Sequence, residues 1–220
     1  MRGGRVSAPH TVGPPEGVMD KVTQFFQGQL SWTSRVLIVA ATLAILPSAV
    51  LPTWTITLNA PQYPQGLTLE LYPNTVRGDL QEVNLLNHYI GMHEIRPDEF
   101  PEFRFIPFFI LRFFAFAVLA ALVGRLPVAA IGWIDFVAFG VVMLYTFQFW
   151  LHDYGQNLSP TAPIRLEPFT PKFIGTTQIG QFSVTSAPAI GALLMGLAGL
   201  IGPAVISYEL WRRRTGRAAP

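Results

Sequence analysis

Four apolar segments, each about as long as a bilayer is thick, constrain this chain more than any other feature. A helix needs about 20 apolar residues to cross the roughly 30 Å hydrocarbon core of a membrane. The segments centre on residues 36–51, 105–123, 128–150 and 187–210. Only 13% of the residues are charged, whereas soluble domains average about 25%. The sequence therefore predicts a multi-pass membrane protein.

The predicted fold class is an all-α transmembrane four-helix bundle whose outward-facing loop holds a β-hairpin and a short helix. Tails and loops separate the four spans. The predicted segments are a cytoplasmic tail with an amphipathic interfacial helix (1–31), TM1 (32–52), a periplasmic loop (53–103), TM2 (104–124), TM3 (128–151), a second periplasmic loop (152–186), TM4 (187–211) and a cytoplasmic tail (212–220).

The distribution of basic residues predicts the orientation of the bundle. Lys and Arg concentrate in short cytoplasmic loops and tails, and here they lie near both termini and in the short turn after TM2. The loop 53–103 is mainly acidic instead. Both termini are therefore expected in the cytoplasm, with both long loops on the outer side. The basic set is Arg2, Arg5, Lys21, Arg35, Arg125, Arg212, Arg213, Arg214 and Arg217.

The first long loop has strand and helix patterns. Apolar residues alternate with polar ones over 54–58 and again over 67–71, which is typical of a β-hairpin with one covered face. Residues 81–95 then show helical spacing. A helix there would place His88 and Met92 on one face, because residues four apart are neighbours on a helix.

Two charged residues lie within the predicted spans, Arg112 in TM2 and Asp135 in TM3. At about 1.5 Å per residue, their separation along the bundle axis is roughly 10 Å, which a long arginine can bridge. Charges inside a membrane are costly and usually paired. A structural ion pair, or an arginine reaching outward, is favoured over an ion or proton path, which would need more ionisable groups.

The outer histidines and methionine form the candidate metal site. His88, Met92 and His93 lie in the first loop, and His152 lies just after TM3, near the same membrane surface. Imidazole with thioether suits Cu(I), whereas imidazole with carboxylate suits Cu(II) or Zn(II). The alternative is that these histidines pack and hydrogen-bond to seat the loop on the bundle.

Other chemistry is sparse, so a catalytic function is not predicted. The chain has no cysteine, which excludes disulfides and thiolate sites. It also has no phosphate-binding glycine loop, no Gly-x-Ser-x-Gly elbow and no His-Glu-x-x-His pair. The basic residues at chain ends favour membrane orientation over nucleic-acid binding.

Three strings carry a resemblance to a known family. They are Ala-Pro-Gln-Tyr-Pro-Gln-Gly-Leu at 60–67, Asn-Leu-Leu-Asn-His-Tyr-Ile-Gly-Met at 84–92 and Trp-Leu-His-Asp-Tyr-Gly-Gln-Asn-Leu at 150–158. Together they resemble a family of small bacterial membrane proteins found in association with copper-handling accessory proteins of the nitrous-oxide-reductase (Nos) type. The resemblance covers both outer loops and the bundle between them, and it implies a place in the bacterial inner membrane.

The third string departs from that family's pattern. The family more often has Tyr-Asp-Tyr-Gly-His-Asn, whereas this chain has His152 at the first tyrosine and Gln156 at the histidine. A ligand at that later histidine would be lost here or moved by four positions. The resemblance thus implies copper held by His88 and Met92, with weaker support for the second loop.

Two functions follow from the sequence. The first is a copper-handling membrane protein that presents His88, Met92, His93 and His152 to a membrane or periplasmic partner. The second is a non-catalytic structural or assembly subunit of a larger membrane complex. A transporter is disfavoured for two reasons. The four spans contain one charge pair, which offers few groups to line a substrate path, and the sequence has no internal repeat of the kind that many transporters show.

Overall fold

The computed structural model describes residues 16–215 and combines apolar helices with a β-sheet. Four of the helices are long and apolar enough to cross a membrane, which fits the predicted multi-pass protein. The helices are α1 (Glu16–Phe26), α2 (Trp32–Ile45, followed by the 3₁₀ turn Leu46–Ala49), α3 (Leu80–Ile90), α4 (Glu102–Val123), α5 (Leu126–Gln156) and α6 (Ile190–Arg214), with a 3₁₀ turn at Pro97–Glu99. The strands are β1 (Trp54–Ala60), β2 (Tyr63–Tyr72), β3 (Thr75–Gly78), β4 (Gly175–Ile179) and β5 (Phe182–Pro188).

The all-α prediction is wrong, because both long connections contribute to one antiparallel five-stranded sheet. The strand order is β3-β2-β1-β5-β4. The predicted hairpin is present as β1 and β2, with Trp54 opposite Leu71 and Ile56 opposite Leu69. Two strands alone are marginally stable in water. The second connection, predicted as a loop, supplies β5, which pairs with the free edge of β1 from Trp54↔Pro188 to Asn59↔Ser183.

One face of the sheet packs against α3. Leu58 and Leu69 from the sheet contact Val83 and Leu86 from the helix, and all four side chains are at least nine-tenths buried. The predicted helix over 81–95 ends earlier than expected, at Ile90. Val83 and Leu86 pack with the sheet, and Ile90 is also buried, so the sequence pattern correctly identified the buried side of the helix.

The spans pack unequally. Helix α2 lies against both α4 and α6 and forms a core of Ala41, Ile45, Ile110 and Ala198. In α5, only 6% of the most apolar window is buried within the chain, compared with 28% for the first span. Helix α5 is therefore the peripheral span, and its surface is left for lipid or another apolar group.

At the end of the bundle opposite the sheet, here called the terminal side, backbone hydrogen bonds join the connection between α1 and α2 to the α4–α5 turn. The Leu30 amide donates to Gly124 O, and the Leu126 amide donates to Gly28 O. Gly124 ends α4 with a φ of 66°, a left-handed conformation that glycine adopts without a Cβ penalty. This turn brings α4 and α5 together as antiparallel neighbours.

The sequence interpretation missed a buried charge, Glu209 of α6. Its carboxylate is fully buried on the terminal side. It accepts hydrogen bonds from the Ser31 amide, the Ser31 hydroxyl and the Ser34 hydroxyl, and it pairs with Arg212 at 3.0 Å. In the sequence, Glu209 resembles a polar residue at the end of an apolar span. In the structure, its hydrogen bonds anchor α6 to the start of α2.

Candidate functional site

The end of α3 places the first three predicted ligands close together in the chain. His88 lies in the last turn of α3, and Met92 and His93 follow the helix. Gly91 ends the helix with a φ of 81°, and the amides of Gly91 and Met92 both donate to Asn87 O. This left-handed C-cap turns the chain sharply, so that residues after the helix fold back beside its last turn.

Two asparagines of the 84–92 string hold the segment that follows the helix. The Asn84 side chain donates to Ile95 O and accepts from the Ile95 amide. Asn87, which is only 3% exposed, donates from its side chain to His93 O at 3.3 Å. The sequence interpretation did not assign these residues a role. The signal in the sequence was that Asn84 and Asn87 are three residues apart on the predicted helix, and therefore on one face of it, next to His88 and Met92.

A surface cavity lies at this corner of the molecule and is lined by His88, Met92 and His93 together with the segment 157–163. The two sides of the cavity are joined by backbone bonds. The Ser159 amide donates to Gly91 O at 2.7 Å, and the Ile164 amide donates to Tyr89 O at 3.0 Å. The structure therefore brings three of the four predicted ligands to one cavity with a defined wall.

The three side chains differ in exposure but share a lack of polar partners among the described residues. His88 and His93 are exposed and Met92 is half-buried. Within residues 16–215, neither imidazole forms a hydrogen bond; their ring neighbours are Tyr89 for His88 and Tyr154 for His93. No group of three or more His, Cys, Asp or Glu side chains suited to a metal occurs in that range. A metal here would need the Met92 thioether as its third donor.

The structure does not bring His152 to this cavity. Helix α5 continues to Gln156, so His152 stands in its final turns rather than in a loop. The His152 Nδ1 lies 3.0 Å from the Thr170 hydroxyl, and Gln156 donates to the same hydroxyl and to Phe169 O. His152 and Gln156 thus hold the segment around Thr170 against α5.

The surroundings of His93 are acidic. Glu94, Asp98 and Glu99 lie within six residues of it, and all three are exposed. Arg96 pairs with Glu94 at 2.9 Å, and this hydrogen-bonded carboxylate raises the pKa of Arg96. An exposed pair of this kind adds little stability. The excess of carboxylates over arginine favours the approach of a cation to the cavity.

The predicted intramembrane pair forms between α4 and α5. Arg112 Nη2 lies 2.6 Å from Asp135 Oδ2, and both side chains are about one-third exposed. The guanidinium carbon also lies 4.8 Å from the Phe109 ring centroid and 4.9 Å from that of Phe113. The pair, assisted by two cation–π contacts, links the peripheral span to the bundle.

No family model matches this chain, and no curated protein is significantly similar to it.

Proposed function

We propose that this protein is a multi-pass membrane protein that binds Cu(I) through His88, Met92 and His93 and passes it to a partner protein, without turnover chemistry. One observation carries the proposal. The three side chains line a single cavity, and neither imidazole has a hydrogen-bond partner among the described residues. Two imidazoles and a thioether form a soft ligand set of the kind that Cu(I) prefers.

The proposed orientation places the sheet and the copper site in the bacterial periplasm. The terminal side carries Arg35, Arg125 and Arg212, whereas the sheet side carries the carboxylates around His93. The positive-inside rule then puts the terminal side in the cytoplasm. A periplasmic site would be open to soluble partners as well as to neighbouring membrane proteins.

A structural or assembly role is the second candidate, and the weak packing of α5 favours it. Ile131, Val141 and Tyr145 are each more than half exposed along this span. A neighbouring transmembrane helix could cover this outer surface. Under this alternative, His88 and His93 would have no specific affinity for metal.

The affinity of the protein for Cu(I) distinguishes the copper-binding function from the structural one. We expect the detergent-purified full chain to retain one Cu(I) in competition with bicinchoninate. His88→Ala, Met92→Ala and His93→Ala should each weaken binding by about 100-fold, at the upper end of what loss of a group supporting a metal site costs. The measurement is the Cu(I) dissociation constant from the absorbance of the competing complex.

His152→Ala is the matched control, because His152 is equally exposed but bonded to Thr170 away from the cavity. It should bind Cu(I) as the unaltered protein does. Wild-type protein that loses all copper to the competitor would contradict the proposal. An equal loss in His152→Ala would contradict the assigned ligand set.

A further inference from the structure

A second cavity, of about 570 Å³, lies between the underside of the sheet and the spans. It extends from Ile56 and Leu69 on the sheet to Phe136 and Gly199 in the middle of the bundle. Its lining is almost entirely carbon. The volume falls within the range of about 300–1,000 Å³ that is usual for small-molecule sites.

The cavity is open along the peripheral span. Val137, Val141 and Leu144 line it, and they are 37%, 61% and 49% exposed. These residues belong to the apolar part of α5, which would lie among lipid chains. A ligand could therefore enter sideways from the bilayer without crossing water.

The length of the cavity suits one extended apolar chain. The cavity follows α5 from Phe136 to Tyr154, which is about 27 Å at 1.5 Å per residue. An extended alkyl or isoprenoid chain is thinner than a transmembrane helix, which is about 10 Å across with its side chains, and it can run along this length.

The sheet-side end of the cavity holds an unsatisfied acceptor. Glu102 lines the cavity in the first turn of α4, and its Oε1 accepts a hydrogen bond from Trp150 Nε1 at 3.3 Å. Its Oε2 is buried and has no hydrogen-bond partner among the described residues. A buried acceptor without a donor is costly, so a ligand that donates a hydrogen bond here would relieve that cost.

We propose that this cavity binds one amphiphile drawn from the bilayer, with its single long apolar chain lying along α5 and its polar end donating a hydrogen bond to Glu102. Met92 lines this cavity as well as the proposed copper site, but the binding does not depend on its thioether. Its determinants are the apolar length of the cavity and the free oxygen of Glu102.

Native mass spectrometry of the detergent-purified full chain tests this with 1-hexadecanol and its methyl ether, 1-methoxyhexadecane. The two probes share one chain, but only the alcohol can donate a hydrogen bond. We expect one alcohol per protein, with the ether retained about 10-fold less, at the upper end of what loss of one hydrogen bond costs. Glu102→Leu leaves the cavity open and should abolish this preference.

A second test uses variants whose larger side chains fill the cavity. Gly140 and Gly196 line it, and an added Cβ at either position meets no atom within 4 Å. Gly140→Leu with Gly196→Leu should therefore fold normally, as thermal unfolding will report, and retain the alcohol at least 10-fold less. Ala138→Leu, which adds similar bulk on α5 outside the cavity lining, is the control and should behave like the wild type.

Three results would overturn the proposal. They are equal alcohol retention by the wild type and the folded double variant, equal retention of alcohol and ether by the wild type, and a loss in Ala138→Leu as large as in the double variant.

Discussion

Replacing Glu209 with glutamine is expected to lower the free energy of unfolding by about 3–5 kcal/mol, the usual cost of leaving one partner of a buried ion pair uncompensated. Glutamine keeps an oxygen for the donors at Ser31 and Ser34 but removes the charge that faces Arg212. Arg212 is 8% exposed, and its Nε and Nη1 have no hydrogen-bond partner in the described residues. The charge would therefore have little alternative stabilisation.

The measurement is reversible unfolding in mixed micelles by titration with sodium dodecyl sulfate. The double change Glu209→Gln with Arg212→Met removes the stranded cation and should recover most of the loss, because an apolar replacement of a buried pair is often nearly neutral. If the free energy of unfolding of the Glu209→Gln variant lies within about 1 kcal/mol of the wild-type value, the carboxylate charge does not anchor α6. This threshold is about a third of the smallest expected loss.

Breaking the Arg112–Asp135 pair is the second large effect. Arg112→Leu leaves Asp135 alone in the span, and Asp135→Leu leaves Arg112 with only the rings of Phe109 and Phe113. An unpaired charge at the centre of a transmembrane helix costs about 2.5–3.5 kcal/mol. We expect Arg112→Leu to lose roughly that amount and Asp135→Leu somewhat less, because the cation–π contacts remain.

The double variant Arg112→Leu with Asp135→Leu completes a thermodynamic cycle. It should be more stable than either single variant, since both charges leave the membrane together. Unfolding in mixed micelles again gives the free energies. Additive losses in the double variant would mean that the two side chains act independently, contrary to the contact between them.

The spans and the β1–β2 hairpin were predictable because their signals are local. Apolar runs of the right length predict transmembrane helices, and alternation over 54–58 and 67–71 predicts paired strands. The ion pair of Arg112 with Asp135 followed from the cost of charges in lipid. These physical constraints act on the sequence itself and need no knowledge of tertiary contacts.

The rest depends on contacts between distant segments. Strands β4 and β5 are rich in Thr, Ser and Gln and lack strong apolar alternation, so only their pairing with β1 identifies them. The separation of His152 from the other predicted ligands follows from the extra helical turn of α5, which no stop signal near residue 151 encodes. Glu209 resembles an ordinary span end until Ser31 and Ser34 are seen around it.

X-ray absorption at the copper K edge of the Cu(I)-loaded protein identifies the atoms bound to copper. We expect a three-coordinate Cu(I) with imidazole scattering from two ligands and one sulfur shell, which disappears in Met92→Ala. Nitrogen or oxygen scattering without sulfur, unchanged by Met92→Ala, would contradict a site built from His88, Met92 and His93.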